Sequence, residues 1–259
     1  LPGLVNFYRR VQAYMMSFTV EGVTLGHKRM DQFEKMARDY LHEVIKDPDL
    51  RETLTPKSRY GCKRGLVSDD FYPALLCDNV HLVPEGLKAV RPQGITTASG
   101  LEIDVDAIIY CTGYHILDYD RIHVSGLGEK SLAEEMAKSP TAYVGIAATD
   151  FPNYFFAGCR NGLAINASYF ANVERNVRTI VNLLKEKQKA GVQALVINSD
   201  ICNAYNQDLS LKFSQFSWGA SNCNSYYRTA SGHAPFLFPG SFKEYNNLHN
   251  ACNISAVDS

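Results

Sequence analysis

The run Asp106-Ala107-Ile108-Ile109-Tyr110-Cys111-Thr112-Gly113 constrains the fold more than any other stretch of this sequence. Its apolar residues are consecutive, with none of the alternation of a strand that has one wet face. Such a run suits a central strand covered on both sides, as where helices pack over a parallel sheet. Thr112-Gly113 ends it, and the fold class it points to is α/β.

Ahead of this run the apolar period is helical. Phe33, Met36, Ala37, Tyr40, Leu41, Val44 and Ile45 recur every three or four residues, one stripe on a helix. Asp31 is placed to cap that helix, and Glu34 three residues on completes an Asp version of a capping box. Asp47-Pro48 ends it, because the residue before a proline leaves the helical region. A second short helix is expected from Asp49 to Leu54, stopping before Pro56, so residues 1–60 read as a helical subdomain.

From about Cys62 the pattern becomes strand-like. Val80-His81-Leu82-Val83 reads as a short strand, and Ile95–Thr97 with Leu101–Val105 reads as a hairpin turning at Ser99-Gly100. Two more strands are expected over Tyr143–Ala147 and Tyr154–Gly158. Ala164 to Gln188 is the longest helix candidate, with Val173, Val177, Ile180, Val181 and Leu184 on its apolar face and Gly191 closing it. The tail after Asp200 is rich in Asn, Ser and Tyr and gives no clear pattern.

Composition narrows the classes. With 259 residues, 46% of them hydrophobic and 20% charged, the chain can bury a core and does not read as disordered. Twenty-six basic against 27 acidic residues leave a net charge of −1, without the basic excess of a nucleic-acid binder. No window is apolar enough to span a membrane. The seven cysteines are scattered, odd in number and never in a Cys-x-x-Cys pair, which points away from a zinc site or a disulfide framework. Reduced thiols in a cytoplasmic protein are the expectation. The seven histidines are dispersed, so no metal site is expected. The chain has no Gly-x-Gly-x-x-Gly after a strand, no Walker loop, no Gly-x-Ser-x-Gly and no His-Glu-x-x-His.

Several local motifs follow one another in a characteristic order. Tyr60-Gly61-Cys62-Lys63-Arg64 precedes Ser68-Asp69-Asp70-Phe71-Tyr72-Pro73-Ala74-Leu75 and Asn79-Val80-His81-Leu82-Val83. Asp106–Tyr114 comes next, then Phe151-Pro152-Asn153-Tyr154-Phe155-Phe156 with Gly158 beyond it. Val44-x-x-Asp47-Pro48-x-Leu50-Arg51 upstream and Ser225-Tyr226-Tyr227 downstream extend the pattern over residues 4–245. In order and spacing the chain resembles the C-terminal half of the Baeyer–Villiger monooxygenases.

The resemblance implies an incomplete flavoprotein fold of two dinucleotide-binding domains. Residues 61–115 would be the remainder of an NADP-binding-like domain and 116–259 the C-terminal part of an FAD-binding-like domain. The implied reaction, in a complete enzyme, is NADPH- and O₂-dependent oxygenation of a ketone through a flavin peroxide. Lys63 would contact the NADP 2′-phosphate, and Arg64 would be the catalytic cation facing the flavin. Thr112 and Gly113 match the segment where the two cofactor domains meet, with Cys111 in place of the usual Ala. Tyr226 stands where the family usually has Trp near the nicotinamide, and Cys159 where it usually has Pro.

The family's FAD glycine fingerprint, NADP glycine loop and active-site Asp have no counterpart in this sequence. The implied cofactors are therefore FAD and NADP(H), with FAD not retained by this chain alone. The implied partners are a ketone or other hydrophobic small molecule and the family's N-terminal half. Two other readings stand beside this one. The first is a flavin-free descendant running a non-redox isomerase, cyclase or hydrolase step. The second is a non-catalytic binding protein.

Overall fold

The computed structural model describes residues 2–113, 119–158, 160–220, 222–229, 234, 236–253 and 257–258. Its helices are α1 (Pro2–Gly22), α2 (Lys28–Val44), α3 (Pro48–Leu54), α4 (Phe71–Ala74), α5 (Leu132–Lys138), α6 (Tyr169–Ala190), α7 (Ser199–Phe213) and α8 (Phe242–Ala251). Its strands are β1 (Leu87–Arg91), β2 (Gly94–Thr97), β3 (Glu102–Asp104), β4 (Leu163–Ala164), β5 (Val196–Ile197), β6 (Leu237–Phe238) and β7 (Val257–Asp258). The chain divides into two compact units: Leu1–Glu34 with Ser58–Gly65 and His115–Ser259, and Lys35–Lys57 with Leu66–Tyr114.

The first unit holds the four apolar clusters found among the described residues, while Leu41 and Ile45 are buried in the second. One cluster gathers Val23, Phe216, Trp218, Tyr227 and Leu237 around Cys62 and Cys223. Phe216 stacks on Trp218 with ring centroids 5.0 Å apart and planes 6° from parallel. Beside it, β4 and β6 pair in parallel, Leu163 with Leu237 and Ala164 with Phe238.

Helix α6 is capped by Ser168, whose hydroxyl accepts from the Ala171 amide, and it closes at Gly191 with φ +71°. It begins five residues later than its apolar pattern indicated, because Leu163–Ala164 is taken by β4. The buried face also differs from the expected stripe: Asn172, Asn176, Thr179 and Leu183 face inward, while Val177, Val181 and Leu184 stay exposed. Polar groups can be buried only when their bonds are met, and here they are. Asn172 donates to the Ala164 carbonyl at 3.2 Å and accepts from the Ala164 amide at 3.0 Å. Asn176 donates to the Ala157 carbonyl at 3.1 Å and accepts from the Tyr245 hydroxyl at 2.6 Å.

The same interface buries His249 of α8, whose Nδ1 lies 2.8 Å from the Thr179 hydroxyl. Burial, with Arg175 nearby, pushes its pKa down to about 3 from the ordinary 6.5. The folded chain thus keeps this imidazole neutral at pH values where the unfolded chain protonates it. Stability should fall as pH drops from about 6.5 towards 3, by up to tenfold in the folding constant per pH unit. Above this window the residue contributes no pH dependence. Urea unfolding at about pH 5 and about pH 7 checks this: His249→Gln should narrow the gap between the two midpoints.

The second unit is thinner. Helix α3 starts where Asp47 accepts from the amides of Asp49 and Leu50 at 2.8 and 3.1 Å, and it runs to Leu54, the end the sequence indicated. The hairpin is present, with Ile95 opposite Ile103, and β1 adds a third antiparallel strand that the pattern did not reveal.

Four strand expectations are not met. Residues 80–83 form no strand. Residues 143–147 fold into a turn with Val144 at φ +48°, closed by a single bridge from Tyr143 to Ala147, and Phe155 only bridges to Ala147. Residues 107–113 join no sheet among the described residues. Short apolar runs bury themselves as readily in turns and coil as in strands, so composition alone does not decide between them.

Candidate functional site

The site is built in the first unit on the loop Tyr60–Gly65. Asp31 and Glu34 do not cap α2, which begins at Lys28; instead they hold Arg59 at 2.7 and 2.8 Å. Glu34 also accepts from the Tyr60 amide at 2.9 Å. Gly61 has φ +85°, and a Cβ there would stand 2.4 Å from Val23 Cγ1 and 2.7 Å from Ser217 Oγ. Only glycine fits both the conformation and the space.

Cys62 is buried and bonded to Cys223, 161 residues further on. This corrects the expectation of reduced thiols throughout; Cys77, Cys111, Cys202 and Cys252 do remain free. Partners so far apart in sequence leave no spacing signal to read.

Lys63 and Arg64 follow directly and are exposed. They line a cleft of about 460 Å³ with Tyr60, Leu163, Tyr227 and Phe236. Neither cation forms an ion pair among the described residues.

The opposite wall has a further anchor besides the disulfide. The Arg228 guanidinium donates to the carbonyls of Ala220 and, at 3.0 Å, Cys223. Tyr227 is buried, with its ring 14° from parallel to Phe236 and 4.4 Å from the Tyr226 ring centroid. Burial pushes the Tyr227 hydroxyl's pKa upwards, Tyr226 adds to this, and a hydrogen bond with Arg64 pulls the other way. The phenol therefore stays protonated at any working pH and meets the Arg64 guanidinium as a neutral partner. The fold thus brings Lys63, Arg64 and Tyr226 to one place. Tyr227 joins them without having been singled out, although Ser225-Tyr226-Tyr227 had marked the segment.

Thr112 and Gly113 belong to the second unit and are exposed. Gly113 adopts φ +100°, a conformation that favours glycine, and no atom lies within 4 Å of where a Cβ would stand. Tyr114 and Cys159 lie outside the described residues. No cluster of three or more metal-ligating side chains occurs among the described residues. Among the described residues, no helix is long and apolar enough to cross a membrane.

No family model matches the chain. A Baeyer–Villiger monooxygenase of Pseudomonas aeruginosa is 33% identical over 240 residues, covering 92% of this chain and 45% of that protein. Another, of Streptomyces coelicolor, is 31% identical over 248 residues, covering 95% and 48%. Among solved structures, OTEMO in complex with FAD and NADP superposes with a TM-score of 0.79 at 23% identity, over 88% of this chain and 43% of that one. A closed cyclohexanone monooxygenase gives 0.78 at 21% identity, over 92% and 46%.

Fold and relatives together place the chain in the flavin-dependent monooxygenase family. Within it, the chain is a partial, Baeyer–Villiger monooxygenase-like member, matching the C-terminal part of such structures. It spans about half the length of the curated relatives it matches.

Proposed function

We propose that this chain is the C-terminal portion of a Baeyer–Villiger-type monooxygenase, in which FAD reduced by NADPH would activate O₂ to oxygenate a ketone or related hydrophobic molecule. The observation that carries this reading is the pair Lys63 and Arg64, held beside an open cleft by anchored loops and unpaired with any carboxylate among the described residues. Two uncompensated cations beside aromatic rings fit a phosphate-bearing nucleotide. Lys63 offers a compact point charge suited to the 2′-phosphate of NADP. Arg64 offers a fixed fork of donors, always protonated, where negative charge develops during reaction. The Tyr227 hydroxyl steadies that fork from the buried side. On this reading Tyr226, beside Tyr227, would meet the nicotinamide, and Thr112-Gly113 would face the cofactors.

No glycine-rich turn leading from a strand into a helix is present among the described residues to cradle the FAD pyrophosphate. A dinucleotide cradle needs free amides at a helix N-terminus behind a glycine-rich turn. Here α3, α6, α7 and α8 cap themselves with Asp47, Ser168, Asn198 and Ser241. Elements beyond those described would have to hold the flavin.

The chain alone is therefore expected to purify without flavin colour. Fused behind the N-terminal portion of the Pseudomonas aeruginosa relative, it is expected to retain FAD and to oxidise NADPH when a cyclic ketone is added. Absorbance after desalting and oxygen uptake check the two halves of this expectation. Stoichiometric flavin on the chain alone, or a flavin-loaded fusion that ignores NADPH, contradicts it.

A further inference from the structure

We infer that the cleft beside Lys63 and Arg64 opens into a separate apolar groove, and that this groove takes the hydrocarbon tail of an elongated ketone. For the reacting end this rests on the reading under Proposed function, while the groove has observations of its own.

The first is continuity. A groove of about 750 Å³ runs along α1 and the start of α6, lined by Val11, Met15, Phe170, Ala171 and Phe242. It shares Met16, Ala167 and Ser168 with the cleft of about 460 Å³ that holds Lys63 and Arg64. All of these residues belong to the first unit, so one compact body carries both spaces. From Met16 back to Arg9, which also lines the groove, α1 rises about 10 Å. A molecule with its carbonyl near Arg64 can therefore continue past Met16 along two turns of helix.

The second is chemistry. Asn166 accepts from the Phe242 amide at 2.7 Å, and Ser168 accepts from the Ala171 amide at 3.1 Å. Gln12 donates to the Tyr8 hydroxyl at 2.9 Å, and Glu174 accepts from Arg178 at 3.1 Å. Each of these groove side chains is already engaged by the protein, so a polar ligand would lose water and gain little. Hydrocarbon has no such loss.

The third is exposure. Phe170 is 80% exposed, Met15 63% and Val11 43%. Contiguous apolar surface of this kind marks a binding groove. Met15 and Met16 place two unbranched, polarizable side chains at the junction, suited to apolar ligands of varied shape. Continuity then names the occupant. A second copy of the chain would settle on this surface without regard to Arg64, whereas a substrate tail must lie where the reacting end leaves it.

The test uses the flavin-loaded fusion with the Pseudomonas aeruginosa N-terminal portion and cyclohexanones alkylated from methyl to octyl. The kcat/KM should rise about two- to fourfold for each methylene that enters the groove, following the free energy of burying it. Ala13→Trp puts an indole into the groove from an exposed position of α1 that does not line the cleft. It should lower kcat/KM for the octyl ketone roughly tenfold or more and leave unsubstituted cyclohexanone unchanged. Phe170→Ala, also at an exposed position, should flatten the length dependence without filling any space, so a folding defect in one variant leaves the other to decide.

A fusion that oxygenates cyclohexanone but shows no length dependence, or one that neither variant alters, overturns the groove and leaves the reading of the cleft standing. A fusion that oxygenates no ketone counts against that reading. The groove is then decided by calorimetric binding of octylcyclohexanone to the chain alone, which Ala13→Trp should weaken about tenfold; equal binding overturns it. Self-association of the chain that Ala13→Trp abolishes, with tail selectivity unchanged, makes a second copy the occupant and overturns the proposal.

Discussion

Replacing Cys223 with serine is expected to cost about 3–5 kcal/mol of stability, among the largest losses any single exchange in this chain would produce. The Cys62–Cys223 bond closes a loop between residues 161 apart. In the chain-entropy account a loop this long removes about 5 kcal/mol of freedom from the unfolded state, and measured native bonds fall mostly between 2 and 5. Its place adds to the effect. Both sulfurs are buried in the cluster of Trp218, Phe216 and Tyr227, so a thiol and a serine hydroxyl would have to be accommodated where one bond now packs. For a chain of this size the loss corresponds to a fall in Tm on the order of 10 °C.

Thermal unfolding with and without a dithiol reductant is the measurement. Reduced wild type and Cys223→Ser should converge at the same lower midpoint. A wild-type midpoint that ignores the reductant and matches the variant would show that the bond contributes nothing. The bond also ties the two walls of the cleft, since Cys62 adjoins Lys63-Arg64 and Cys223 lies in the Tyr226-Tyr227 segment. The variant should therefore weaken nucleotide binding as well as folding.

Arg64→Ala, made in the flavin-loaded fusion, should lower ketone oxygenation by roughly 10²–10³ while leaving FAD in place. The size follows from removing one preorganised cation from a position where negative charge develops. The direction follows from Arg64 standing unpaired with carboxylates, so that the substitution strands no buried partner ion. What it does strand is the Tyr227 hydroxyl, which loses its guanidinium partner. Product yield and flavin content should be read together. Loss of both would indicate damage to the fold, and undiminished oxygenation would remove Arg64 from the reaction. Arg64→Lys keeps the charge but not the fork, and should recover only part of the rate.

How much of this was legible in the sequence depends on how local each cause is. The break between α2 and α3 could be read from Asp47-Pro48, because a proline acts within a few residues. The hairpin could be read from Ser99-Gly100 and the alternation around it for the same reason. The inward face of α6 could not. Asn172 and Asn176 look like surface residues until their partners at Ala164, Ala157 and Tyr245 are known, and those partners come from elsewhere in the fold. Asp31 and Glu34 have the spacing of a capping box, but Arg59, more than twenty residues away, claims both.

At the site, Lys63 and Arg64 stood out through the motif that contains them, whereas the bond fixing their loop joins cysteines that share no local pattern. Residues 106–113 are a different case. Their apolar pattern reads as a covered strand, yet they are exposed and join no sheet among the described residues.

The central claim is that the Lys63-Arg64 cleft reads the phosphate of NADP. Its most direct test is the ratio of kcat/KM for NADPH to that for NADH in Lys63→Ala, measured in the flavin-loaded fusion. A charge-assisted contact is worth about 1.5–3 kcal/mol, so the preference for NADPH should fall roughly 10- to 150-fold while NADH use barely changes. An unchanged ratio would make Lys63 a solvated loop residue and contradict the assignment of the cleft.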